Sequence, residues 1–153
     1  MEDVWSYPRP PRVEPVPKAV AIVFAGRTIA RTDAAYRVLE TSHPPVYYLP
    51  RAAFTGCDLE PAAGQSFCEW KGNAAYWSIR VGNRTAERAA WSYPDPDPAY
   101  AVIRDHLAVY AGRMEACTVG GERVTPQPGG FYGGWITADL KGPFKGVPGS
   151  LGW

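Results

Sequence analysis

The chain has 153 residues and a formal net charge of +1. That length suits one compact domain with a real core. The absence of a basic stripe argues against a nucleic-acid surface, and no apolar run approaches the length of a membrane span.

The first residues, Met1–Arg12, have no apolar stretch of the secretory-signal kind. Cys57, Cys68 and Cys117 are odd in number and lack CxxC spacing. That pattern points to reduced thiols in a cytoplasmic protein, and away from a zinc site. No metal set or cofactor motif is expected. Sixteen glycines and sixteen prolines favour short strands and tight turns over long helices. The class predicted is mainly β, with antiparallel sheets packed together and one short helix. Six Trp, nine Tyr and five Phe exceed what a small β core needs, so some should line a site.

In chain order, residues 1–18 carry five prolines and read as an extended arm, docked through Val4, Trp5 and Tyr7. Residues 19–125 read as the β domain. Ala19–Phe24 is an apolar strand, turned at Gly26 into Thr28–Arg31. Asp33 is positioned to cap a short helix over Ala34–Leu39. His43 precedes two prolines and is held extended. Val46–Leu49 is a short proline-bounded strand that sends Tyr47 and Tyr48 to opposite faces. Residues 52–64 read as irregular.

The stretch Phe67–Trp77, FCEWKGNAAYW, gathers a thiol, a carboxylate, an amine and four large aromatics. Gly72 and Asn73 mark a turn. Ala74–Val81 then alternates as a strand, with Trp77, Ile79 and Val81 toward a core and Tyr76 on the other face. Gly82-Asn83 makes a hairpin turn into Arg84–Trp91. That strand ends in Trp91-Ser92-Tyr93-Pro94, the same residue types as Trp5-Ser6-Tyr7-Pro8. The two copies either dock proline-stiffened segments or flank one cleft.

Further strands are expected at Leu107–Tyr110, Met114–Val119 and, after Gly120-Gly121, Glu122–Thr125. Residues 126–153 are rich in glycine and proline, yet carry Phe131, Tyr132, Trp135, Phe144 and Trp153. Flexible linkers do not carry such anchors. The segment reads as a tail wrapping the domain or a second copy, which would make a homodimer.

With HPPVYYLPR at 43–51, CEWKGNAAYW at 68–77 and AWSYPDP at 90–96, the chain resembles the domain of unknown function 427 family, sometimes labelled nucleotidyltransferase-like. The arm and tail resemble its longer form. The resemblance implies a small β fold similar to the β-tent (Mss4-like) folds of methionine sulfoxide reductase B and of cereblon's thalidomide-binding domain, with an aromatic-lined concavity between sheets. Those relatives usually bind zinc through two CxxC pairs, which are missing here, so the metal is not carried over.

Two functions follow. The first is a small-molecule pocket, binding or catalytic. Trp70, Tyr76, Trp91, Tyr93 and Arg51 would contact the ligand, and Lys71, Cys68, His43 and Tyr47 would supply reactive or polar groups. The plainer alternatives are a buried small Cys68, a solvated Lys71 and a structural His43–Tyr47 pair. The second is a protein-interaction module built from the arm and tail. Nucleotidyl transfer is the weakest reading. Asp95 and Asp97 have the spacing of a metal-binding carboxylate pair, but each precedes proline in a turn.

Overall fold

Strand-forming residues punctuated by glycine turns dominate the chain, and the computed structural model, which describes residues 1–153, is built accordingly. In order the strands are β1 (Glu2–Asp3), β2 (Arg12–Pro15), β3 (Val20–Phe24), β4 (Arg27–Thr32), β5 (Tyr36–Leu39), β6 (Val46–Tyr48), β7 (Asp58–Cys68) and β8 (Gly72–Val81). They continue with β9 (Arg84–Ser92), β10 (Ala108–Val109), β11 (Ala116–Val119), β12 (Glu122–Arg123), β13 (Thr125–Pro126), β14 (Trp135–Ile136) and β15 (Leu140–Lys141). Helical structure is confined to 3-10 turns, the longest at Pro98–Ile103. No helix is long and apolar enough to cross a membrane.

Three sheets matter. One has the order β12-β11-β3-β4, the second β10-β9-β8-β7, and the third β2-β5-β6. The second sheet is apolar on both faces. On one face Ile79, Ala89 and Ala90 pack with Val20, Ile22 and Ile29 of the first sheet. On the other, Tyr76 and Trp91 meet Val38 and Tyr48 of the third. The alternation predicted for Ala74–Val81 is therefore realised: Ile79 joins one core, with Trp77 and Val81 packed against it, and Tyr76 joins the other.

Val4 and Tyr7 of the N-terminal segment are buried. β2 is an edge strand paired only with β5, a place where proline is tolerated. Val4–Ser6 forms a single 3-10 turn, capped by the Asp3 side chain accepting from the Trp5 amide at 2.9 Å. Val4, Tyr7, Leu39 and Leu140 make a small cluster joining arm to tail. There Arg37 binds both Glu2 and Glu14, and Tyr7 donates to Glu2.

Two expectations are corrected. Ala34–Leu39 is not a helix, and its last four residues are β5, paired with β2 on one side and β6 on the other. Asp33 caps nothing; instead Thr32 Oγ1 accepts from the Ala34 amide. Two flanking strands outweigh a short one-sided apolar pattern. The segment read as irregular over 52–64 contains the start of β7, an eleven-residue strand. Its Pro61 and Gly64 fit because β7 is an edge strand whose register shifts between Ala62 and Gln65.

Candidate ligand-binding site

The second and third sheets do not close fully on each other, and a cavity of about 320 Å³ remains. From the third sheet come Val38 of β5, Val46 and Tyr48 of β6, and Glu40 and His43 between those strands. From the second come Ser66 to Cys68 at the end of β7, the turn Glu69-Trp70-Lys71, Tyr76 of β8, Trp91 of β9 and Tyr93 just beyond it. The tail supplies the roof, Phe131-Tyr132-Gly133, and Lys145.

Of the residues nominated from the sequence, Lys71, Cys68, His43, Trp70, Tyr76, Trp91 and Tyr93 all line this space. Tyr47 and Arg51 do not. Tyr47 points into the main core and stacks on Trp135, with ring centroids 5.1 Å apart. Strand alternation gives the cavity its neighbour Tyr48 instead. Arg51 lies 4.4 Å over the Trp77 ring. The first Trp-Ser-Tyr-Pro copy also lies elsewhere: Trp5 packs against Trp153, and only the second copy reaches the cavity.

Lys71 is 7 % exposed. Its ammonium has no carboxylate and no hydrogen-bond acceptor, only the faces of Tyr93 at 5.7 Å and Tyr100 at 6.0 Å. Its backbone is held by the turn after β9, where the Asp97 amide donates to the Lys71 carbonyl at 3.1 Å. Asp97 also caps the 3-10 turn by accepting from the Ala99 amide, and Asp95 projects into solvent near Arg104. The Asp95/Asp97 spacing is thus a turn device.

His43 is buried and neutral at pH 7. Burial pushes its pKa down to about 4, helped by the positive charges of Lys145, Arg9 and Lys71. Gln127 fixes its tautomer. The Gln127 carbonyl accepts from the Gly134 amide, so its NH₂ group donates to His43 Nδ1 at 3.1 Å and to the Lys145 carbonyl at 2.9 Å. The proton therefore sits on Nε2, 3.7 Å from Glu40. At neutral pH that is a polar contact rather than an ion pair, because burial outweighs the carboxylate. The Tyr132 ring meets the imidazole edge-on at 4.8 Å.

Burial raises the pKa of Tyr48 and Tyr93, and pushes Tyr110 up to about 12. Cys57 and Cys117 are raised by burial and lie away from the cavity, leaving Cys68 as its one thiol.

Glu40, Tyr48, Ser66, Tyr110, Tyr132 and Lys145 belong to the site and were not nominated from the sequence. The alternation of Tyr47 and Tyr48 signalled that one of them faces away from the core. Nothing in the sequence separates Lys145 from Lys141.

Residues 12–120 match the family described as domain of unknown function (DUF427). The chain belongs to that family. A search of curated proteins found no match. The DUF427 match runs from β2 to the end of β11, so it includes both sheet-borne walls of the cavity. The roof and Lys145 lie beyond it, in the tail.

Proposed function

We propose that the cavity binds a small, flat, negatively charged molecule, with Lys71 meeting its charge and the aromatic side chains meeting its faces. The observation that carries this is the ammonium of Lys71, which opens onto the cavity from a largely buried side chain and has no partner within the chain but two aromatic faces. Aromatic faces at this range contribute only about 0.5–2 kcal/mol, which leaves the charge without an ionic partner. An anionic ligand supplies the missing partner. Aromatic walls with a few polar groups suit such a ligand.

Binding is favoured over catalysis. His43 has its Nδ1 engaged by Gln127, Tyr47 is turned away, and Cys68 has no base hydrogen-bonded to it. The test is calorimetry with benzoate and its neutral counterpart benzamide, on the intact chain and on Lys71→Met, which keeps the length of the stem. Benzoate should bind at least about tenfold more weakly to the variant, with benzamide unchanged. Equal binding of acid and amide to the intact chain would refute the reading.

A second reading, a protein-interaction surface, is favoured by two exposed aromatics at the cavity rim, Phe67 (72 %) and Phe131 (65 %). Much of the arm and tail, by contrast, is engaged within the chain: Trp5 donates to the Pro143 carbonyl, and β1 pairs with β15. Replacing both phenylalanines with serine should abolish partner capture and leave benzoate binding intact if this reading holds. Light scattering of the intact chain would show whether a homodimer forms through the tail.

A further inference from the structure

A second cavity, of about 420 Å³, lies across the Phe131-Tyr132-Gly133 roof from the first. Tyr76 and Tyr110 line both. No aspartate or glutamate lines the second, whereas Arg88 and Arg113 do.

Arg88 is set there at a cost. It is a non-glycine residue with φ of +49°, in the left-handed region that side chains resist. The strain belongs to an irregularity in β9: Trp77 pairs with Ala90 and Ile79 with Ala86, so Glu87, Arg88 and Ala89 together oppose Ser78. The Arg88 amide donates to Ser78 Oγ at 3.1 Å. On the far side of β8 the register shift of β7 leaves Gly64, with φ of +98°, beside the guanidinium; a Cβ there would lie 3.3 Å from Arg88 Nη2. Two bulges, one on each flank of β8, thus make a seat in which the guanidinium lies 4.3 Å over the Tyr76 ring. So seated, it has no carboxylate and no hydrogen-bond acceptor.

Arg113 is oriented by donating to the Glu87 carbonyl at 2.6 Å. Tyr110, between the two cavities, donates to the Phe131 carbonyl at 2.9 Å, which pins the loop opposite the arginines. The amides of Gly130, Phe131, Tyr132 and Gly133, on that loop, donate no hydrogen bond within the chain. Loop amides without a partner in the chain, the exposed guanidinium of Arg88 and the remaining N–H groups of Arg113, all on one cavity, are the donor types of an oxyanion site.

We propose that this second cavity binds an oxyanion, a carboxylate or a phosphate. Arg88 is its principal ligand, and Arg113 and the 130–133 amides complete it. The site uses none of the charges invoked at Lys71, so it stands whether or not the first cavity takes an acid.

The test is titration of the full chain with inorganic phosphate and, separately, with acetate, at constant ionic strength set by chloride. The amide resonances of Gly130–Gly133 are followed by NMR. At least one of the two anions should shift them saturably, and which one does so identifies the oxyanion. Arg88→Gln should weaken that response at least about tenfold, and Lys71→Met should leave it intact. Arg113→Gln provides the second reading if Arg88→Gln fails to fold. The proposal is overturned if neither anion gives a saturable shift, or if the folded arginine variants respond as the intact chain does.

Discussion

The walls and the roof of the first cavity are built by different means. The sheet wall that carries Cys68, Lys71, Tyr76 and Trp91 is backed by the long antiparallel pairings of β7 with β8 and β8 with β9, each interrupted by one bulge. The roof, Phe131-Tyr132-Gly133, has no strand partner; it is fixed at its ends and by the Tyr110 hydroxyl, which donates to the Phe131 carbonyl. At one end the Gln127 amide donates to the Gly134 carbonyl, and the Gly134 amide donates back to the Gln127 side-chain carbonyl. At the other, Trp135 is buried under Tyr47 and donates through Nε1 to the Val109 carbonyl. A wall held by a ladder shares a loss among many bonds. A roof held by a few separate contacts concentrates it. Substitutions at the roof's anchors should therefore reshape the cavity, while equal losses behind the sheet wall should not.

The largest effect is expected at Trp135. It is 1 % exposed and belongs to the main core as well as to the tail. Trp135→Ala should cost about 3–5 kcal/mol in urea unfolding, and release the roof in hydrogen exchange. A small cost would mean that the tail merely rests on the domain.

The next is a pH effect at His43, which lies under the roof. Its folded pKa of about 4 is below the ordinary 6.5. The unfolded chain therefore takes up the proton first, and stability falls as pH drops from about 6.5 to about 4. The full contribution is about 3 kcal/mol. His43→Asn keeps an acceptor toward Gln127 and cannot take up the proton. Unfolding measured at a series of pH values should show a shallower slope for the variant across that window. Identical slopes would place the acid sensitivity elsewhere.

Much of the sheet wall was legible in the sequence, and the roof was not. Alternation in Ala74–Val81 and the Gly82-Asn83 turn are local signals, and they placed Tyr76 opposite Ile79. The helix expected over Ala34–Leu39 failed because the deciding interactions, with β2 and β6, come from residues distant in sequence. That error hid Val38 and Glu40 as wall residues. Tyr47 was chosen over Tyr48, because alternation says that two neighbours face apart, never which of them faces a cavity. The tail's aromatics read as anchors, and Trp135 is one; Tyr132, two glycines earlier in the chain, is roof. No periodicity distinguishes those roles. The site at Arg88 depends on two bulges that alternation alone would not place.

Gln127→Ala tests the roof more selectively than Trp135. The side chain is 4 % exposed, and its loss leaves the Gly134 amide and the Lys145 carbonyl without partners. The expected cost is about 1–3 kcal/mol. Amide exchange should accelerate across residues 129–134 while the amides of β8 and β9 keep their protection. Uniform acceleration across both would show that roof and wall open together.

The smallest effect belongs behind the sheet wall. Asp97→Ala removes the cap on Ala99 and keeps the Asp97 amide that holds the Lys71 carbonyl. It should cost about 1 kcal/mol, and benzoate affinity should change less than in Gln127→Ala. The reason lies in what remains: Lys71 still sits between two hydrogen-bonded strands, and Gly72, with φ of +104°, still turns the chain beneath the Asp95 carbonyl. A larger loss of benzoate affinity in Asp97→Ala than in Gln127→Ala would reverse the ranking of the two sides, and would make the turn after β9, rather than the roof, the part on which the cavity's shape depends.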